Sequence, residues 1–142
     1  MKKSLNCALY YAIAAMAGGV FYREFTKWNG FTGVTMLGKV HAHLFLMGMA
    51  VFLLTALFAE RFALEDDRKF RLFFRLYNIG VPLTAVMMLV RGVAQVRGLA
   101  LSHAADAAIS GIAGLGHIAS GVGLILLLLS LRQAAENGRC AR

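Results

Sequence analysis

The sequence predicts an all-α fold, an integral membrane four-helix bundle, and three observations carry that reading. The 142-residue chain is 59% hydrophobic and only 15% charged. A soluble domain carries about 25% charged residues, and one small core could not enclose this much apolar surface. Four segments come near or pass the roughly 20 apolar residues that a membrane span needs, at about residues 5–22, 38–59, 72–90 and 104–131. The stretches between them, 23–37, 60–71 and 91–103, are polar, and no linker or change of composition divides the chain. Residues 1–142 are therefore expected to form a single domain.

The first span follows Lys2 and Lys3. A basic start, an apolar stretch and Ala15-Met16-Ala17 also resemble a signal peptide with its cleavage site. The apolar run continues through Gly18, Gly19, Val20 and Phe21, which suits a retained span. Leu5-Asn6-Cys7 hints at a lipoprotein box, but no apolar region precedes it. The second span carries His41 and His43. The third holds Asn78, Gly80, Pro82 and Thr84. Pro82 lacks a backbone donor and frees the carbonyl of Asn78, which predicts a kink; a kink can also open a cavity in a bundle. The fourth span contains Gly111, Gly114, Gly116, Gly121 and Gly123 around His117. Such glycines allow close packing of a neighbouring helix, or else a groove wide enough for a flat macrocycle. Ser102 suits a helix N-cap, with Asp106 in the first turn, and His103 reads as an interfacial surface residue. The polar tail, residues 132–142, is expected to be frayed.

Charge gives the orientation. Four spans place the N-terminus, the second loop and the C-terminus on one side. That side holds Lys2, Lys3, Arg61, Arg68, Lys69, Arg71, Arg75, Arg132, Arg139 and Arg142, ten of the 15 basic residues. The other side holds Arg23, Lys27, Lys39, Arg91 and Arg97. Positive residues favour the cytoplasmic side, so both termini are expected there, in a bacterial cytoplasmic membrane. The net charge of +8 is then a match for anionic lipid. It does not indicate a nucleic-acid partner, because no basic stretch is interleaved with aromatics in a polar domain.

The motif content excludes several chemistries. Glu60, Glu65, Asp66 and Asp67 fall in a loop mixed with basic residues, and no span holds paired carboxylates. No nucleophile–base signature, phosphate-cradling glycine loop or HExxH occurs, so hydrolase and kinase chemistry have no support. Cys7 and Cys140 form neither a CxxC pair nor a haem-attachment motif.

The histidines remain. An ionisable residue inside the bilayer is costly and is a functional candidate by default, and neutral imidazole ligates haem iron and other metals. The bland alternative is an interhelical hydrogen bond. Residues i and i+2 of a helix point about 200° apart, so His41 and His43 face opposite sides and do not suit one metal site on one helix. On α-helical spacing His41 shares a ridge with Phe45, Gly48, Phe52 and Thr55, and His43 one with Met47, Ala50 and Leu54. An imidazole on each side suits a helix between two cofactors, or between a cofactor and a neighbouring subunit. His117 is a candidate ligand or hydrogen-bond partner. Arg91 and Arg97 lie on the histidine side and could pair with haem propionates, although either could simply snorkel. Trp28 is an expected interface anchor.

The stretch Leu37-Gly-Lys-Val-His41-Ala-His43-Leu-Phe-Leu-Met-Gly48, together with Tyr22-Arg23-Glu24, resembles a small family of bacterial four-span membrane proteins of unknown function, over essentially the whole chain. The histidine pattern and span count also resemble, more remotely, the catalytic subunit of haem–copper oxidases. That subunit arranges twelve spans as three four-helix units, and a His-x-His pair on the second helix of one unit ligates two haems on opposite sides. The resemblance implies a homotrimer that imitates the twelve-helix core. Each haem b would lie between subunits, held by His41 of one and His43 of the next. No counterpart of the copper-site histidines or of the histidine–tyrosine crosslink is present, which speaks against oxygen reduction; whether copper also binds stays open.

The sequence therefore points to a haem b-binding membrane protein with a bis-histidine site and a role in electron transfer or a related redox role, its redox partner unknown. The candidate cofactor-binding residues are His41, His43, His117, Arg91, Arg97 and Gly48, with His41 and His43 as the metal ligands. Two alternatives stand beside it. One is a haem or metal-ion carrier that uses His117 and the kinked third span. The other is a structural accessory protein without a cofactor.

Overall fold

The computed structural model describes residues 1–62 and 64–140, with side chains described as far as Gly138. Arg142, and the side chains of Arg139 and Cys140, lie outside the described residues. The chain forms four long helices: α1 (Lys2–Trp28), α2 (Leu37–Arg61), α3 (Arg68–Val96) and α4 (His103–Cys140). All four are long and apolar enough to cross a membrane, and the protein is a multi-pass membrane protein. Outward-facing side chains such as Leu9, Ile13, Leu57, Ile79, Leu115 and Ile125 are each more than half exposed, as lipid-facing residues are.

Each helix extends beyond the apolar segment that predicts it, because polar residues complete its ends. Asp67 caps α3, its carboxylate accepting from the backbone N–H of Lys69 at 3.1 Å. Ser102 caps α4, its hydroxyl accepting from Ala105 at 3.2 Å. Residues 132–140 continue α4 where a frayed tail was expected. Alanines favour the helix there, Arg132 pairs with Glu136 one turn on at 3.0 Å, and Gln133 accepts from Lys69 at 2.8 Å.

The helices run alternately up and down. At one end the Met1 ammonium pairs with Glu65 at 2.9 Å, near the short 3-10 turn Leu64–Asp66. At the other end the Thr35 hydroxyl donates to the carbonyl of Gly92 (3.1 Å) and the Met36 N–H donates to Gln95 (2.8 Å), joining the start of α2 to the end of α3. The core lies where α1, α2 and α3 meet. Tyr11 stacks on Phe52 with centroids 5.6 Å apart, and Phe52 touches Phe73, Phe74 and Tyr77. α3 is the most enclosed helix, with 44% of its apolar window buried against 22–28% for the others.

The five glycines around His117 on α4 divide into two groups. Gly116 and Gly123, with Ser120, meet Gly80, Thr84 and Tyr77 of α3 at backbone distance, which is the close packing that small residues permit. Gly111, Gly114 and Gly121 have nothing within 4 Å of where a side chain would begin. α3 remains helical through Pro82. Asn78, one turn before it, donates to the carbonyl of Phe74 at 2.8 Å and faces the Tyr11 hydroxyl at 3.5 Å.

α2 departs from regular α-helix. Leu44–Ala50 is a π-helical stretch that begins immediately after His43, and such stretches are frequent at functional sites. Its buried positions run Val40, Leu44, Gly48 and Phe52, three successive steps of four residues. In an α-helix each such step drifts by about 40°; the wider turn keeps these positions on one face. The ridge expected to link His41 with Gly48, Phe52 and Thr55 is consequently broken. His41 and Phe45 are only half-buried, while Gly48, Phe52 and Thr55 turn into the core.

Candidate functional site

The first two turns of α2 carry the site. Gly19 of α1 lies against His41, its would-be Cβ 3.7 Å from the His41 Cβ. The Nδ1 atom of His41 is buried and has no hydrogen-bond partner among the described residues, as is true of one polar atom each of Tyr77, Thr84, Arg91 and Ser130. An unpaired buried polar atom is costly in lipid, and His41 is the one of these that carries an imidazole.

His43 leaves α2 on another side. Its ring meets that of His117 on α4, edge to face, with centroids 5.8 Å apart and planes inclined by 70°. His117 is level with Gly80 and Thr84 of α3, because its neighbour Gly116 packs against both. The two rings therefore lie deep within the spans. The Nδ1 atom of His117 is 2.9 Å from the carbonyl oxygen of Ala113. His41 thus faces α1 and His43 faces α4, and the structure brings His43 and His117 together within one chain. His103 is exposed at the first turn of α4.

Gly48 is not open to a ligand. The Tyr11 ring covers it so closely that no side chain could be added there, and its role is the approach of α1 to α2. Arg91 is already engaged. One guanidinium nitrogen reaches the Asp106 carboxylate at 2.6 Å, the Ser110 hydroxyl at 2.8 Å and the Asp106 carbonyl at 3.2 Å, tying the end of α3 to the start of α4. Arg97, the C-cap of α3, is exposed, and its side chain forms no ion pair among the described residues. No group of three or more His, Cys, Asp or Glu side chains converges among the described residues, a criterion that a two-histidine iron site does not need to meet.

A second concave surface lies between α1 and α3, over Val40 and Leu44 of α2. It is an almost wholly apolar groove of about 1100 Å³, with Cys7, Tyr11 and Asn78 among the residues that line it. Pro82, where a kink was expected to be able to open a cavity, is among its lining residues, but its extent depends on the spacing between two helices that both pack on a third.

No curated protein and no solved structure matches the chain. A family model does, over residues 1–134, and with four membrane-capable helices in place the chain belongs to the family described as protein of unknown function DUF2871.

Proposed function

We propose that the protein binds b-type haem between copies of itself, with His41 of one copy and His43 of the next as axial ligands, and that it transfers electrons in the bacterial cytoplasmic membrane. The observation that carries this is the divergence of two imidazoles from one turn of α2, one with a buried nitrogen lacking any partner among the described residues. Imidazole is a suitable donor for haem iron, so the residues present fit the group. His41 and His43 of a single chain do not converge on one iron, and a closed ring of identical subunits supplies the same junction repeatedly; a homotrimer resembling the twelve-helix oxidase core satisfies this. When bound, such a haem supplies one-electron redox chemistry, and two histidine ligands leave no open position for a substrate. Arg97, exposed and without an ion pair among the described residues, is the freer cation for a propionate, since one nitrogen of Arg91 pairs with Asp106.

The visible spectrum of the purified protein tests the reading. Sharp bands of a low-spin b-type haem on reduction are the expected result. A colourless protein that takes up zinc or copper would favour the carrier alternative, for which the contact of His43 with His117 is the supporting observation. A protein that binds none of these would leave the structural alternative.

The distribution of basic residues orients both termini to the cytoplasm. A reporter active only in the periplasm, fused after Arg142, should stay silent; activity there would overturn this orientation.

A further inference from the structure

His117 is defined more closely than a packing residue needs to be. Its Nδ1 atom lies 2.9 Å from the carbonyl oxygen of Ala113, one turn earlier on α4. A carbonyl can only accept, so in the neutral imidazole this bond places the proton on Nδ1 and leaves a lone pair on Nε2. The His43 ring stands 5.8 Å away, edge to face, and makes no hydrogen bond of its own among the described residues. The contact is one of ring edge to ring face.

We propose that His117 is the positioning residue of His43: its Nε2 accepts the N–H of His43, so that the other His43 nitrogen presents a lone pair for a metal. This rests on the haem reading above. Histidines that ligate metals almost always donate their second ring N–H to an acceptor, which fixes the tautomer and raises ligand basicity. That acceptor is commonly a carboxylate or a backbone carbonyl. No carboxylate is available here: the spans hold no paired acidic residues, and Asp106 is committed to Arg91. His43 makes no bond to a carbonyl of its own helix among the described residues, as His117 does to Ala113. The sequence Ala113 carbonyl, His117, His43 supplies what is missing, with the first link already made. Half-buried Gly114 and exposed Gly121 flank His117 on α4, and a Cβ at either would meet nothing within 4 Å.

The test uses the full-length, haem-loaded protein and the variants His117→Phe and His117→Gln. Phe keeps the ring contact and removes the acceptor; Gln returns an oxygen acceptor. For His117→Phe the low-spin bis-histidine spectrum should persist while ferric haem affinity falls 10–100-fold. Each tenfold loss confined to the ferric form raises the midpoint potential by about 59 mV. His117→Gln should recover most of both. Nitrogen-15 NMR of histidine-labelled protein should show Nε2 of His117 unprotonated, with or without haem. A His117→Phe variant with unchanged affinity and midpoint overturns the proposal. So does a change to high-spin haem in both variants, which would make His117 an iron ligand. A wild-type protein without haem would defeat the haem reading, and that failure is distinct: the NMR measurement needs no haem, and a proton on Nε2 of His117 overturns the positioning role by itself.

Discussion

His41→Ala and His43→Ala should each abolish the bis-histidine spectrum, and expressing the two variants together should restore about a quarter of it. The fraction follows from the geometry. On α2 the two imidazoles diverge, one towards Gly19 of α1 and the other towards His117 of α4, so in the proposed arrangement a complete site takes His41 from one copy and His43 from its neighbour. In a ring of randomly mixed variants, a junction is competent only when the first position holds the chain with His41 intact and the next holds the chain with His43 intact. With equal expression about one junction in four meets this condition, whatever the ring size. A site built within one chain predicts no recovery at all. The measurement is the reduced-minus-oxidised spectrum per subunit in the separate and mixed preparations, with co-purification of two tags to show that mixed rings form. Mixed rings without recovered haem would end the shared-site model. Two adjacent histidines are also lost in one junction of four, so recovery well above a quarter would require the variants to order themselves or a substitute ligand, and His117 is the imidazole within reach of His43.

Several parts of this arrangement were legible in the sequence because they follow from helix geometry alone. Hydropathy located four spans, and a spacing of two residues at 100° each fixed that His41 and His43 diverge. Ser102 was legible as the N-cap of α4, but the other helix ends were less visible: Asp67, Gln133 and Glu136 are polar, and apolar runs stop short of the caps and pairs that extend each helix. The π-helical stretch was hidden by the assumption of α-helical spacing, which placed His41 on one ridge with Phe52. The trace it left is the four-residue interval between Val40, Leu44, Gly48 and Phe52, all apolar or glycine. The role of Arg91 depends on the turn at residues 97–102. That turn folds α4 back so that Asp106, 15 residues away in sequence, pairs with it at 2.6 Å. Sequence alone could name Arg91 as a cation near the histidines but not identify its partner. The meeting of His43 with His117 is likewise a matter of helix depth, set by the seating of Gly116 against Gly80 and Thr84.

That seating predicts which glycines of α4 tolerate a methyl group. Gly116→Ala should destabilise the protein strongly. A Cβ at this position would lie 2.5 Å from the Thr84 hydroxyl and 3.0 Å from the Gly80 carbonyl oxygen. Gly80→Ala should do the same from the other side, with its Cβ 2.7 Å from both the Gly116 carbonyl oxygen and the Ser120 nitrogen. Because backbone atoms form part of each obstacle, rotamer changes cannot relieve the clash, and α3 and α4 must separate. Overpacking of this kind costs about 3 kcal/mol at the upper end of its usual range, or roughly 10 °C in Tm for a chain of this size. Since α4 carries His117 and α2 carries His43, the separation should also disturb their contact. Gly114→Ala and Gly121→Ala are the controls. Neither Cβ would meet anything within 4 Å, and alanine is favoured over glycine in a helix by about 0.8–1.0 kcal/mol, so the isolated chain should be as stable or slightly more so. Their sign is informative beyond folding. If this open face lies against a neighbouring copy or a flat cofactor, Gly114→Leu and Gly121→Leu should leave the monomer folded yet reduce assembly or haem content. Equal Tm losses at positions 114, 116 and 121 would mean that the α3–α4 contact does not hold the bundle together in the way its close approach implies.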